Sequence, residues 1–355
     1  MSNQNPKNSQ SKETFQINTN TSSHQDDQEV QKDEEMTQAP SNIPIQPNES
    51  SNETINNAIV PVHEEIHSNP YMSIIANFAL SIIQNYLVKE ANKKMIKDSV
   101  NLVYLAEIYQ NMILEEDKLF QRIKSNYMGF QRSVNELMRA ILVDWIILVH
   151  HRCNMKKKTL YQCVFIIDAY LSKNIIERIN LQLLGLTAFL ISCKQNEDIY
   201  PSLQNCVDFT ANAYTVEELI DMEQLVLQKL DYDILTPTAS EFFEINADYF
   251  EFTEKQRFFG EYFLDASLID YYLLKHKPST IAEACCYIVA KFFNLNESDF
   301  IKDNGSLEIE QDEVKDCANH LCNLMKILSN YGLVATKDKY MSENYMKVAE
   351  LLEEN

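Results

Sequence analysis

The chain has few residues whose spacing favours chemistry, and the clearest group is Cys317, His320 and Cys322. Thiolate and imidazole bind zinc, but structural zinc sites need four ligands, usually as two pairs. These three residues have helical spacing in a leucine-containing run, with no second pair nearby, so we expect no metal. The sequence also contains no nucleophile elbow, P-loop, kinase signature or His-Glu-x-x-His motif. We therefore expect neither an enzyme nor a bound cofactor.

A second pair of residues points to structure rather than catalysis. Arg139 and Asp168 lie on different predicted helices, and their neighbours in sequence are mostly apolar. An unpaired buried charge is very costly in free energy, so each residue needs the other. We expect an ion pair that joins the two helices.

The composition indicates a helical protein. With 355 residues, 45% of them hydrophobic, the chain is long enough for about two domains and a sizeable core. It has only five glycines and nine prolines. Folds made of strands and tight turns need glycine, as do Gly-rich phosphate loops, so both are disfavoured. The sequence predicts an all-α fold.

The charge and the cysteines limit the partners and the compartment. A formal net charge of −21 argues against nucleic acid, because phosphate binding depends on Lys and Arg, and favours protein partners. Eight cysteines lie in apolar runs with no secretory signal at Met1, so we expect reduced thiols in the nucleus or cytoplasm.

Residues Tyr71–Val88 are uncharged, but their apolar residues recur at helical spacing between polar ones. We expect an amphipathic helix there and no membrane span.

Sequence patterns divide the chain into five segments. Residues 1–70 are rich in Asn, Gln, Ser and acids and are expected to be disordered, and residues 71–132 to form N-terminal helices. Pro237 separates two segments of similar length, 133–235 and 236–340, and residues 341–355 are expected to form a C-terminal helix. Five Ser or Thr residues are followed three positions later by Glu or Gln, which predicts capping boxes at helix starts: Ser133/Glu136, Thr215/Glu218, Thr238/Glu241, Thr253/Gln256 and Thr280/Glu283.

Two stretches rich in small residues, 185–194 and 282–291, stand at corresponding places in the two halves. Gly and Ala allow neighbouring helices to approach closely from several sides. Each stretch is therefore predicted to be a central helix ringed by others. The pattern favours a five-helix domain that is repeated.

Residues 138–145, Met-Arg-Ala-Ile-Leu-Val-Asp-Trp, resemble the opening helix of the cyclin box. Similar motifs follow in order at 167–171, 181–185, 193–194, 199–201, 222–227, 230–233 and 236–238, then at 268–270 and 277–282 as in mitotic A/B-type cyclins. The likeness covers about residues 100–340. It implies two tandem five-helix cyclin boxes. It also implies a non-catalytic subunit that activates a cyclin-dependent kinase, with a role at G2/M.

The resemblance implies a kinase-binding surface. In cyclins, a Lys and a Glu that match Lys194 and Glu223 face the kinase and fix its regulatory helix. Further kinase contacts implied by the resemblance are Tyr104, Ile108, Leu227, Tyr232 and Ile234. Residues 195–198 read Gln-Asn-Glu-Asp, one residue longer than the family pattern and without its aromatic residue. We therefore expect a different affinity for the kinase or a different choice of kinase.

The resemblance also implies a docking groove for substrates and inhibitors that carry an Arg-x-Leu motif. The residues that match it are Met138, Ile141, Leu142, Trp145 and Gln182. The four on the first helix form one stripe, for which ordinary core packing is the alternative interpretation. Leu148 and Arg152 stand where the family has acidic residues that bind the Arg of the motif. We therefore expect weak binding of the usual basic motif.

Three residues are expected to be structural. In the family, the pair that matches Arg139 and Asp168 holds the first two helices together, and the residue that matches Leu183 packs centrally.

An alternative function is that of a transcription factor that uses the same repeated fold to bind DNA or promoter proteins. Such a protein would need a basic face and would commonly carry an N-terminal zinc ribbon, whereas this chain is acidic and no ribbon is found. An enzyme is the third interpretation, and no motif supports it.

Overall fold

The computed structural model describes residues 97–120, 122–295 and 308–353. All regular elements in these ranges are helices, and no strand occurs in them. The predicted tail, residues 1–70, and the uncharged stretch Tyr71–Val88 lie outside the described residues. Within the described ranges, no helix has the length and apolarity that crossing a membrane requires.

Among the described residues, one helix precedes two successive groups of five α-helices. Helix α1 is Lys97–Phe120. The first group is α2 Glu136–Cys153, α3 Lys157–Lys173, α4 Leu181–Asn196, α5 Leu203–Asp208 and α6 Val216–Lys229. The second group is α7 Ala239–Tyr249, α8 Glu254–Ser267, α9 Pro278–Phe292, α10 Glu308–Ile327 and α11 Ala335–Tyr340. The predicted all-α fold with a repeated five-helix unit is confirmed.

Capping boxes start three of these helices. In each box, the threonine hydroxyl accepts from the backbone N–H of the residue three positions later. The side chain of that residue accepts from the backbone N–H of the threonine. The threonines are Thr215, Thr238 and Thr253. The predictions for Ser133/Glu136 and Thr280/Glu283 are wrong. Asn135 caps α2, because its side chain accepts from the N–H of Met138. Helix α9 begins with Pro278, which places Thr280 inside the first turn.

The central helices of the two groups are α4 and α9. Every residue from Leu183 to Cys193 in α4 is buried, and small buried residues dominate α9. Gly185 lets α4 approach α2 closely, since a Cβ atom at this position would lie 2.6 Å from Leu142 Cδ1. The predicted central positions of both small-residue stretches are confirmed.

The C-terminal end of the chain differs from the prediction. In place of one helix over residues 341–355, two 3₁₀ turns form at Glu343–Tyr345 and Val348–Leu352. Met346 and Lys347 between them have φ of 51° and 50°. This left-handed backbone interrupts a right-handed helix, and the pattern of apolar residues does not reveal it.

Candidate functional site

An ion pair lies on the surface of the first helical group. Lys194 is in the last turn of α4, and its Nζ is 2.6 Å from Oε1 and 2.8 Å from Oε2 of Glu223 in the middle of α6. The Lys194 side chain is 39% exposed and the Glu223 side chain 15%. The two charges balance each other and remain accessible to a partner.

Apolar side chains follow Glu223 closely in the sequence. Leu227 is one turn further along α6 and is half-buried. Asp231 and Tyr232 have φ of 54° and 58°, and this turn leaves the Tyr232 side chain 66% exposed. Ile234 follows and is half-buried. The sequence therefore places Glu223 of the charged pair and an exposed aromatic ring within a short stretch of chain.

A buried amide, Gln162, connects the end of α4 to the segment after α6. Its Nε2 donates to the Ile234 carbonyl at 3.2 Å and to the Gln195 side chain, and its Oε1 accepts from Asn196 Nδ2 at 2.7 Å. The family likeness does not include Gln162. The only sequence signal for its role is an amide in an otherwise apolar helix, because a buried amide needs partners.

Residues 195–198, which depart from the family pattern, are held against the start of α3. The Glu197 carboxylate accepts from the Lys156 backbone N–H at 2.7 Å and also from the Thr159 hydroxyl. Glu197 thus accepts from one backbone N–H and one hydroxyl at the start of a helix whose own cap residue, Lys156, makes no side-chain cap. Lys156 Nζ also binds Asp198 at 3.1 Å. Glu197 and Asp198 of this segment therefore make contacts within the first helical group.

Helix α1 packs against the second helical group. Tyr109 is buried with its ring edge-on to Phe242 at 5.6 Å, and the Glu116 carboxylate accepts from the backbone N–H and the hydroxyl of Ser279, both at 2.7 Å. Ile108, next to Tyr109, is 52% exposed. The backbone of Tyr104 lies in α1, and its side chain lies outside the described residues.

The stripe on α2 is only partly covered. Ile141 is 52% exposed, Met138 and Trp145 are half-buried, and Gln182 at the start of α4 is half-buried. Leu142 is buried against Gly185, so it supports this surface from beneath. Continuing along the same side of α2, Leu148 is half-buried and Arg152 exposed. The cationic end of this surface disfavours a basic ligand.

Arg139 and Asp168 form a buried pair. Arg139 is 1% exposed, with Nε 2.6 Å from Oδ1 and Nη2 2.7 Å from Oδ2 of Asp168. Burial lowers the pKa of Arg139, but the Asp168 carboxylate outweighs it and the net shift is upward. The remaining guanidinium nitrogen, Nη1, donates to the carbonyls of Leu268 at 3.0 Å and Ile269 at 3.2 Å, so the pair also joins the two helical groups. Leu183 is buried on α4.

The cysteines and histidine first considered for a metal have other environments. Cys317 is buried and Cys322 half-buried, while His320 hydrogen-bonds Asp270 and stacks on the Tyr272 ring. In the part of the chain that the structure describes, no three His, Cys, Asp or Glu residues are grouped as metal ligands.

Comparison with known proteins places both helical groups in one family. The family model for the N-terminal domain of cyclins matches residues 107–235, and that for the C-terminal domain matches residues 237–354. The chain belongs to the cyclin family. A G2/mitotic-specific cyclin-B of Hydra vulgaris is 33% identical over 248 residues, which are 69% of this chain and 67% of that protein. The human G2/mitotic-specific cyclin-B2 is 31% identical over 69% of this chain and 61% of its own length.

A solved structure shares the fold of this cyclin. The X-ray structure of a viral cyclin from herpesvirus saimiri matches with a TM-score of 0.53 at 20% identity. The match covers 61% of this chain and 96% of the viral chain. The resemblance to mitotic A/B-type cyclins is confirmed, and the two relatives named above are B-type cyclins.

Proposed function

We propose that this cyclin binds and allosterically activates a cyclin-dependent protein kinase that acts at G2/M. The observation that carries the proposal is the accessible Lys194–Glu223 pair, with Tyr232 exposed close by. Leu227 and Ile234 complete the proposed contact surface, and Tyr104 and Ile108 extend it from α1. Family membership supplies the partner class, and mitotic-specific relatives support the stage.

The mechanism requires a rigid surface with a higher affinity for the active state of the kinase. A ligand shifts a conformational equilibrium only by its difference in affinity for the two states. In protein kinases, activity requires a Lys–Glu ion pair and an ordered activation loop, and the cyclin would select that arrangement. Gln162 and Glu197 bond the end of α4 and the residue after it to α3 and its start, which favours a rigid surface before binding. The kinase supplies ATP, metal and chemistry, and this chain acts as the non-catalytic subunit.

The surface formed by Met138, Ile141, Trp145 and Gln182 is proposed to dock substrates or inhibitors of the complex, with Leu142 beneath it. Partly exposed apolar side chains on α2, together with a half-buried amide at the start of α4, are suited to an extended peptide. The cyclin is proposed to act in the nucleus or the cytoplasm, without nucleic-acid or membrane partners.

Affinity purification of the full chain from dividing cells tests the proposal. We expect a co-purifying kinase with histone-kinase activity, and loss of both from the Lys194→Glu variant. Lys229→Ala, an exposed lysine at the end of α6, is the matched control and should retain both. Retention of nucleic acid at moderate salt without kinase activity would instead support the cyclin-fold transcription factor.

A further inference from the structure

A cavity of about 110 Å³ lies between the two helical groups. Its floor includes the Arg139–Asp168 pair, and most of its wall is apolar, with Val164 and Phe165 from α3 and Leu273 from the second group. The residues Thr236, Pro237, Leu274, Pro278 and Ile281 also line it and are half-buried. The cavity therefore has a buried interior and an accessible rim.

One polar atom of the cavity lining lacks a partner. His276 lines the cavity and is 7% exposed. Its Nδ1 lies 2.9 Å from the Glu313 carboxylate, and its Nε2 is buried with no hydrogen-bond partner among the described residues. A carboxylate only accepts, so Nδ1 carries the proton and donates it. In the neutral ring, Nε2 is then an unused acceptor.

Every other polar side chain of the cavity lining has a hydrogen-bond partner. The hydroxyl groups bond to Asp265 (from Tyr161), to the Pro237 carbonyl (from Thr236), to Ser240 and Glu241 (from Thr238) and to the Leu264 carbonyl (from Ser267). Arg139 and Asp168 bind each other, and Arg139 also donates to two carbonyls. Asp270 accepts from the Tyr272 backbone N–H and pairs with His320. A ligand would therefore meet a mostly apolar wall and one buried acceptor that has no partner. It should be mostly apolar and carry a single donor.

We propose that this cavity binds a phenolic ring, with the phenol O–H donating to His276 Nε2. Size limits the ligand to a single ring, since the cavity is smaller than an engineered apolar cavity of roughly 150 Å³ that binds benzene. Any group para to the hydroxyl must therefore lie at the accessible rim. A free phenol and a tyrosine side chain present the same chemistry. A buried acceptor without a partner is costly, so a ligand that supplies the donor gains more than one that leaves it unpaired.

Ligand titrations of the full chain by NMR test the proposal, with p-cresol and toluene as isosteric probes. We expect p-cresol to bind the wild-type chain about fivefold more tightly than toluene, which matches one net hydrogen bond. The order should reverse in His276→Leu, because that variant keeps an apolar cavity and removes the acceptor. Glu313, which loses its partner there, is 45% exposed and can be solvated.

Two further measurements complete the test. The first distinguishes a free phenol from a peptide tyrosine as the occupant, and the second blocks the rim while the fold is checked. N-acetyl-tyrosinamide should bind more tightly than N-acetyl-phenylalaninamide if a peptide tyrosine is the occupant, and p-cresol alone should discriminate if the occupant is a free phenol. Leu274→Trp at the rim should weaken every probe without loss of helicity. Equal affinity of wild type for p-cresol and toluene, or no binding of either, would overturn the proposal and leave His276 Nε2 to water.

Discussion

Arg139 makes contacts in both helical groups. It is fully paired with Asp168 on α3 and donates to two carbonyls after α8, so one guanidinium joins both helical groups. Tyr127 adds a hydrogen bond of 2.7 Å to the same carboxylate. Loss of the guanidinium would leave Asp168 charged, buried and mostly unpaired.

We therefore expect Arg139→Ala to lower the free energy of unfolding by about 3–5 kcal/mol. Urea denaturation followed by circular dichroism measures the change. Arg132→Ala, an exposed arginine near the start of α2, should change stability by less than about 0.5 kcal/mol. Equal effects of the two variants would show that the pair contributes little to stability.

The second residue-scale prediction separates the Lys194–Glu223 pair from its proposed partner. The double variant Lys194→Glu with Glu223→Lys keeps an ion pair between α4 and α6 while exchanging the charges. We expect an unchanged melting temperature, because the pair is partly exposed and contributes roughly 0–1 kcal/mol. Kinase binding in a pull-down should nevertheless be lost. Normal activation by the double variant would remove these residues from the proposed surface.

Residues that share a sequence pattern or a family match can be predicted from the sequence. Residues whose role depends on partners that are distant in sequence cannot. Arg139 and Asp168 stood out because charges interrupt apolar helices. Gln162 and Glu197 did not, because their partners, Ile234 and Lys156, are distant in sequence. A side chain that caps another helix has no local signature.

At the scale of elements, the start of each helix depends on which residue takes the cap position. Thr253 caps α8, whereas Thr280 has the same sequence pattern and lies inside α9, because Pro278 starts that helix earlier. The pattern of Thr followed by Glu or Gln cannot distinguish the two cases. Only one residue can occupy the cap position. Proline is favoured at the first helical position, so α9 begins at Pro278 and Lys277 takes the cap position.

We expect Thr253→Ala to destabilise the protein by about 1 kcal/mol, through loss of its bond from the Gln256 N–H. Thr280→Ala is the matched control and should cost less than about 0.5 kcal/mol. Thermal denaturation of both variants measures the difference. A larger loss for Thr280→Ala would contradict the observed start of α9.

The exposed stripe of α2 gives a prediction on peptide selection. Leu148 and Arg152 offer no anion for the Arg of an Arg-x-Leu peptide, and Arg152 repels it. The variant Leu148→Glu with Arg152→Glu should bind such a peptide at least about tenfold more tightly, since a charge-assisted hydrogen bond contributes about 1.5–3 kcal/mol. Fluorescence polarisation measures the affinities, with an Ala-x-Leu peptide as control. The same affinity for both chains would indicate that the stripe is not a docking surface.

At the scale of the whole molecule, polar side chains buried between the two groups tie them together. Asp265 on α8 accepts from Tyr161 on α3 at 2.7 Å, from Lys339 at 2.6 Å and from Tyr340 at 2.9 Å. Lys157 on α3 pairs with Glu244 and Glu261. The sequence predicted two repeated units but not this cluster, because its members come from four separate helices.

The cluster makes stability depend on pH in a defined direction. Burial raises the pKa of Glu261 to about 7, and the adjoining Lys157 only partly offsets this. Between the ordinary pKa of Glu and about 7, the folded state binds more protons than the unfolded state. This contribution to the free energy of unfolding therefore falls as pH rises, by up to about 1.4 kcal/mol per pH unit. The advantage of wild type over Glu261→Gln should shrink over this range.

His150 on α2, outside this cluster, supplies a control of opposite sign. Burial lowers its pKa to about 4, while its ring Nε2 lies 2.9 Å from the Lys156 carbonyl. Here the unfolded state binds more protons between about pH 4 and 6.5, so this contribution to stability rises with pH. The advantage of wild type over His150→Gln should therefore grow where the advantage over Glu261→Gln shrinks. Urea denaturation at pH 5, 6 and 7 measures both differences, and slopes of the same sign would show that one of the two groups is not buried in the folded protein.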